Sequence, residues 1–351
     1  CTWISALCVP FSLQTSPSTP RTEERGCPPP PSALVCPSSP LLCSFLFLSP
    51  PAVMPAMPEE IFGLDAALLM GLVTIIVTEC PRAATASQWL WGGLWKSVKY
   101  AAHMRKSITP RSIADTITAA ITMYAAGSIV LDAFSGVGGQ SVSLAVAGLT
   151  VFACDINQTN VDHTMHNARV HGVAERLRMV CGDYFARIAG LAAKWMPIGR
   201  KFGAIHVDMP WGKAYEEETY PLHRMGDGTL SAYDVLEAAA PLSDSFVFKC
   251  PRNVAISDAV KLAYHVQSIK GGASTHNVAM PLVEVFVNGD KTVMAVIYIG
   301  DIAAKRLEDI APPARVVDLT HKRWTIEQCA KSMLSRGKRV GCASVTFAPF
   351  A

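Results

Sequence analysis

Asp132-Ala133-Phe134-Ser135-Gly136-Val137-Gly138-Gly139 decides the fold. It closes an apolar, β-rich run, 128–134, and leads into a helix-like segment, 139–147. Three glycines let the backbone turn tightly and approach a ligand, and the helix that follows presents free N–H groups. Working outward, apolar runs recur at 150–155, 177–183, 202–208, 245–250, 283–287 and 294–299, with a second helix-like segment at 157–171. Near-continuous apolar strands alternating with helices predict a parallel sheet covered on both faces. A further helix is expected at 109–126, where Pro110 stands at the start and Ile113, Ile117, Ala120 and Ile121 form an apolar stripe. Asn288-Gly289 between the last two runs predicts a hairpin. The expected fold is α/β and doubly wound, with a seven-stranded, mostly parallel sheet ending in an antiparallel hairpin.

Ligands of open α/β sheets bind beyond the carboxyl ends of the strands. The second strand ends at Asp155, whose carboxylate can accept from both hydroxyls of a ribose, and the third ends in Cys181-Gly182-Asp183, suited to an adenine amine. Each aspartate alone also reads as a helix cap or turn residue. Together with Asp132 they describe a pocket for an adenosine without phosphate, which favours S-adenosylmethionine over a dinucleotide. The GxGxxG pattern of a nicotinamide site is broken by Gly136, Gly138 and Ser141. The fourth strand ends in Asp208-Met209-Pro210-Trp211-Gly212. A carboxylate, carbonyls held by proline and an indole suit an exocyclic amine: the acceptors orient it and the ring stacks on the base. Indole also attracts a cationic base best.

These residues resemble a class I S-adenosylmethionine-dependent methyltransferase with a Rossmann-like sheet. More narrowly, the Asp132–Gly139 octapeptide, Cys181-Gly182-Asp183-Tyr184, Met209-Pro210-Trp211-Gly212, Cys250-Pro251-Arg252-Asn253 and Tyr298-Ile299-Gly300-Asp301 resemble the trimethylguanosine synthase family over about residues 96–302. Ile108-Thr109-Pro110-Arg111-Ser112-Ile113-Ala114 is similar to the segment that opens that family's catalytic domain. The resemblance implies methyl transfer to N2 of the 7-methylguanosine cap of small nuclear and nucleolar RNA, giving 2,2,7-trimethylguanosine. It implies that Thr109, Asp132, Phe134, Gly136, Gly138, Asp155, Asp183 and Tyr184 hold S-adenosylmethionine. Asp208, Pro210 and Trp211 would form the catalytic loop, Trp211 stacking on the methylated guanine. Arg252, Asn253, Tyr215, Lys291 and Lys99 would meet the cap and its triphosphate. Asp208 stands where the family usually has serine, and Thr109 follows Tyr100 by only nine positions, where the family has a longer aromatic and charged segment. Trp89, Trp91 and Trp95 are candidates to take over that segment's part in closing the site.

Rival readings remain on the same residues. An amino-group methyltransferase acting on tRNA, rRNA or DNA would use the Asp208 loop like an Asp-Pro-Pro-Tyr motif, and dependence on a 7-methylated cap separates the two. A cap-binding module without turnover is the third reading. No metal site is expected, since the cysteines beyond residue 58 form no CxxC pair. They read as reduced core thiols.

Four segments organise the chain. Residues 1–58 hold 13 of the 24 prolines and five of the 11 cysteines, with only four charged residues. They read as a disordered leader or, the favoured reading, as an untranslated stretch ahead of a start at Met54 or Met57. Residues 59–107 are expected to form a helical extension, in which the apolar stretch 66–77, too short to span a membrane, reads as a buried helix or strand packed on the main domain. Residues 108–302 are the methyltransferase domain. Residues 303–351 are a basic tail with nine Lys/Arg against four Asp/Glu, on a chain whose net charge is only +3. Within the tail, 325–334 reads as a helix flanked by Lys322-Arg323-Trp324 and by the cations at 336–339, suited to RNA backbone or a nuclear address. The expected partners are 7-methylguanosine-capped RNA and small ribonucleoprotein proteins, with no membrane. A nuclear monomer is expected.

Overall fold

Backbone pairing gathers all seven expected strands into one nine-stranded sheet. The computed structural model describes residues 73–80, 82–270, 281–309, 325–335 and 343–346. The strands are β1 (Thr74–Glu79), β2 (Ile129–Asp132), β3 (Thr150–Asp155), β4 (Leu177–Cys181), β5 (Ala204–Val207), β6 (Ser245–Cys250), β7 (Leu282–Asn288), β8 (Lys291–Gly300) and β9 (Ala343–Thr346). Their spatial order is β4-β3-β2-β5-β6-β8-β7-β1-β9. β2 to β6 run parallel, β8 is antiparallel to both β6 and β7, β1 is parallel to β7, and β9 is antiparallel to β1. The chain leaves β2 toward β3 on one side and later returns to β5 on the other, which opens a crevice beyond Asp132.

Two apolar layers flank the sheet. On one face the strands pack against α2 (Arg111–Ala125), α3 (Gly139–Val146), α4 (Gln158–Val170) and α8 (Asp301–Asp309), through Ile113, Ile117, Val142, Ala168 and Ile302. On the other they pack against α5 (Tyr184–Trp195), α6 (Ala232–Ala239), α7 (Ile256–Ile269) and α9 (Ile326–Ser335), through Ile188, Leu236, Leu262 and Ile326. The period-two alternation of strand side chains divides β6 accordingly: Phe246, Phe248 and Cys250 face one layer and Val247 the other. The remaining helix, α1 (Ala86–Trp91), begins with a capping box in which Thr85 and Gln88 satisfy each other's backbone N–H. The expected hairpin is present, with Gly289 at φ +62° between β7 and β8.

The expectation for residues 59–107 needs correction. Their described part contributes a strand to the sheet as well as a helix. Thr74-Ile75-Ile76-Val77-Thr78 is β-branched throughout, and β7 offers it an otherwise open edge. A buried polar cluster locks the junction: Thr78 Oγ1 donates to Glu284 Oε1 at 2.6 Å, Tyr298 donates to Oε2 at 2.8 Å, and Arg306 on α8 pairs with the same carboxylate at 3.1 Å. The tail likewise supplies elements to the domain. α9 packs in the core and β9 pairs with β1, so residues 303–351 are only partly an appendage. The leader, Met54 and Met57, Lys322-Arg323-Trp324 and residues 336–339 lie outside the described residues. Among those described, no helix is long and apolar enough to cross a membrane.

Candidate active site

The glycine turn sits at the switch point, held from three sides. Gly136 and Gly138 adopt φ +55° and +89°. The N–H of Gly136 donates to Asp155 Oδ2 at 2.9 Å, tying the turn to the end of β3. From α4, Thr164 Oγ1 donates to the Gly136 carbonyl at 3.0 Å and Asn167 Nδ2 to the Val137 carbonyl at 2.9 Å. A Cβ on Gly138 would lie 2.9 Å from Thr164 Cγ2. With the left-handed backbone added, Gly138→Ala is expected to destabilise the fold by about 1–3 kcal/mol. A urea-denaturation midpoint equal to that of the unaltered protein would refute this.

The rim carboxylates differ in what they can do. Asp132, expected as a cofactor contact, is 1% exposed and lies beneath the turn. Ser141 of α3 donates to its Oδ2, and His206 of β5 holds Oδ1 at 2.9 Å. It therefore braces β2, β5 and α3 rather than facing a ligand. Asp155 is half-buried and already accepts from Gly136, Asn157 and Asn160. A carboxylate offers roughly four lone-pair directions. That leaves one acceptor direction for a ribose, on Oδ2, where both hydroxyls had been expected to bind. Desolvation raises the carboxyl's pKa, opposed by those three hydrogen bonds. Asp183 is exposed and caps α5 through the Ala186 N–H at 2.9 Å. Tyr184 is corrected from ligand contact to core strut, because it is 5% exposed and its hydroxyl donates to the Val235 carbonyl at 2.7 Å. Its ring stacks on half-buried Phe134 with centroids 4.9 Å apart. A bare glycine backbone, exposed carboxylate oxygens and an aromatic plane suit a nucleoside without phosphate, since the rim aspartates would repel an anion.

On the neighbouring strand ends, Asp208 to Gly212 form the second half of the site. Asp208 Oδ2 lies 2.6 Å from Lys249 Nζ. Lys249, on the central strand β6, is 2% exposed. The same ammonium donates to Thr109 Oγ1 at 2.9 Å and stands 5.2 Å from the Trp211 ring centroid. One buried cation therefore joins the strand end, the start of α2 and the indole. Thr109 is 4% exposed and committed to this contact, so it positions α2 instead of meeting a cofactor as expected. Trp211 is half-buried; its carbonyl accepts from Tyr220 at 2.8 Å, and Pro210 before it is exposed. Gly212, at φ +62°, lets the loop close on Asp227, whose N atom would lie 2.4 Å from a Cβ there.

The expected cap contacts are less uniform. Arg252 is exposed but paired with Glu327 of α9 at 3.0 Å. Asn253 is 6% exposed and donates to the Glu217 carbonyl at 2.7 Å, so it ties loops together rather than reaching substrate as expected. Tyr215 is exposed three residues past the loop, and Lys291 is exposed beside the hairpin turn on the same rim. Lys99 is exposed beside α4, where its backbone N–H donates to Asn167 Oδ1 at 2.7 Å. The residue that sequence reading missed is Lys249. Its signal was present: a lysine inside the otherwise apolar strand Ser-Phe-Val-Phe-Lys-Cys is costly to bury unless it has a partner.

Residues 127–301 match a family model described as RNA cap guanine-N2 methyltransferase. Trimethylguanosine synthase of Schizosaccharomyces pombe (strain 972 / ATCC 24843) is 24% identical over 156 residues, which are 43% of this chain and 62% of that protein. The match thus spans less than two thirds of that relative's length. Among solved structures, a SAM-dependent methyltransferase from Agrobacterium tumefaciens is 16% identical at TM-score 0.39, covering 55% of this chain and 62% of that one. A putative methyltransferase from Porphyromonas gingivalis W83 is 10% identical at TM-score 0.43, covering 60% and 45%.

Proposed function

We propose that this chain, whose residues 127–301 match the model of the RNA cap guanine-N2 methyltransferase family, methylates N2 of a 7-methylguanosine cap, using S-adenosylmethionine. The observation that carries the reading is the juxtaposition of two strand-end devices, the Gly136–Gly139 turn and the Trp211 loop pinned by Lys249. S-adenosylmethionine supplies the electrophilic methyl group on its sulfonium. Asp155 accepts from its ribose, Asp183 from its adenine amine, and the Gly136 backbone permits close approach. Trp211 stacks on the cationic guanine. Asp208 keeps Oδ1 free of protein hydrogen bonds while Oδ2 is held by Lys249, so Oδ1 accepts from the N2 amine and fixes its orientation. Arg252, Lys291 and Lys99 offer charge to the triphosphate. Small nuclear and nucleolar RNAs as substrates, their delivery by ribonucleoprotein proteins and a nuclear site of action belong to the same proposal.

The test is methyl transfer from labelled S-adenosylmethionine to 7-methyl-GTP, GTP and uncapped RNA. Transfer to 7-methyl-GTP alone is the expected result. Transfer to uncapped RNA would move the assignment to a general amino-group methyltransferase, the reading that Asp208 itself favours. Cofactor binding with no acceptor at all would leave a cap-binding module. Asp155→Asn is expected to raise the KM for S-adenosylmethionine about tenfold, by the loss of one charge-assisted hydrogen bond. An unchanged KM would remove Asp155 from the cofactor site.

A further inference from the structure

Residues 80–114 carry six Lys/Arg and no Asp/Glu, on a chain whose net charge is only +3. Interleaved with those cations are Trp89, Trp91, Trp95 and Tyr100. The segment folds against α4 and borders an open groove of about 800 Å³, lined by Trp95, Lys96, Lys99, Tyr100, Arg105 and His163. Among the described residues, no carboxylate lines it. Lys96, Lys99 and Arg105 are exposed, and Lys96 Nζ lies 5.4 Å from the Trp95 ring centroid. His163 of α4 has its Nδ1 enclosed with no hydrogen-bond partner among the described residues. The nearest acidic neighbour in sequence, Asp162, accepts from Gln158 at 2.8 Å.

The groove borders the candidate active site through buried side chains. Asn167 is 0% exposed. Its amide nitrogen donates both to the Lys99 carbonyl, at 2.9 Å, and to the Val137 carbonyl of the glycine turn, at 2.9 Å. Leu90, Trp91, Ile108 and Val137 form one small core, with Trp95, Tyr100 and Met104 packed on it. The wall of the groove and the roof of the glycine turn are thus one packed body.

We infer that this groove is the track for the single-stranded RNA that follows the cap; the inference rests on the cap-methylation reading above. Aromatic rings beside cations, with no acid among them, match alternating bases and phosphates: rings take bases by stacking irrespective of sequence, and cations take the backbone. A polymer entering the site by its capped end must leave along the rim, and this open, basic, aromatic groove adjoins the glycine turn. Lys96, Arg105, Trp95 and His163 are the contacts assigned to it, beyond the cap and its triphosphate.

The experiment compares the full chain with Lys96→Ala/Arg105→Ala on two acceptors, 7-methyl-GTP and a 7-methyl-capped 12-nucleotide single strand. The unaltered protein is expected to show a KM for the capped strand at least about tenfold below that for 7-methyl-GTP, since each added phosphate contact releases counterions. The double variant is expected to lose most of that advantage and to leave 7-methyl-GTP kinetics unchanged. Its slope of log KM for the strand against log salt should fall by about 1.4, or about 0.7 per contact. Equal KM values for the two acceptors, or a variant that shifts both alike, would overturn the track. Failure of the cap reading is recognised separately, as no transfer to either acceptor by the unaltered protein. Fluorescence anisotropy of an uncapped labelled 12-mer then decides the groove without turnover: weaker binding by the double variant and by Trp95→Ala supports it. Unchanged binding overturns it, as does equal displacement of the probe by polyglutamate of the same charge.

Discussion

Lys249→Met is expected to lower folding stability by about 3 kcal/mol, the lower end for breaking a buried ion pair. The lower end applies because the Asp208 side chain is 17% exposed and can take up some water once its partner is gone. Methionine matches the lysine stem in length, so packing within β6 is kept while the ammonium contacts to Asp208, Thr109 and Trp211 are lost. Methyl transfer should fall as well, since Asp208 and the start of α2 lose their common anchor. The double variant Lys249→Met/Asp208→Ser removes both charges and is expected to recover most of the stability, because an uncompensated charge, rather than the lost attraction, dominates the cost. Urea unfolding of the two single variants and the double closes the cycle. Additive effects would mean that the pair is not coupled and that the loop is held by other means.

Trp211→Ala is expected to lower kcat/KM for 7-methyl-GTP about 5- to 150-fold, corresponding to the roughly 1–3 kcal/mol of a base stacked on an aromatic ring. The KM for S-adenosylmethionine should be unchanged, because the residues proposed to hold the cofactor lie on the strand ends on the other side of β5. Trp211→Phe separates stacking from charge. Phenylalanine retains a stacking face but attracts a cation less, so it should fall between the two with 7-methyl-GTP. Because Trp211 also packs against both apolar layers, circular dichroism must show the alanine variant folded. A folded variant with unaltered kcat/KM for 7-methyl-GTP would exclude the indole as the base platform.

Much of the fold is legible in local chemistry. Strand runs, the Asn288-Gly289 hairpin and the Pro110 helix start are short-range signals, and each is read by backbone stereochemistry within a few residues. Of two further strands, one was left open and one escaped, for opposite reasons. β1 lies where a short apolar run reads equally as helix or strand, and only the unpaired edge of β7 decides between them. β9 is a four-residue strand in a tail whose charge invites a solvated reading, and its partner is more than 260 residues earlier in the chain. The site divides in the same way. That aspartates stand at the strand ends is legible; which of them is free is not, because Ser141, His206 and Lys249 reach them from other elements.

The sequence by itself determined the alternation of strand and helix, the glycine turn at the switch point, and the Asp208–Gly212 loop one strand away. These depend on side-chain period, glycine's access to positive φ and the fixed φ of proline, all properties of neighbouring residues. Only the tertiary structure decided the roles of the polar groups. Asp132 became a buried brace, Tyr184 a core strut, Asn253 a loop tie, and Lys249 the cation that joins Asp208 to Trp211. A polar side chain's role follows from which partners satisfy it once water is removed. Those partners lie up to 140 residues away along the chain, as Thr109 does from Lys249.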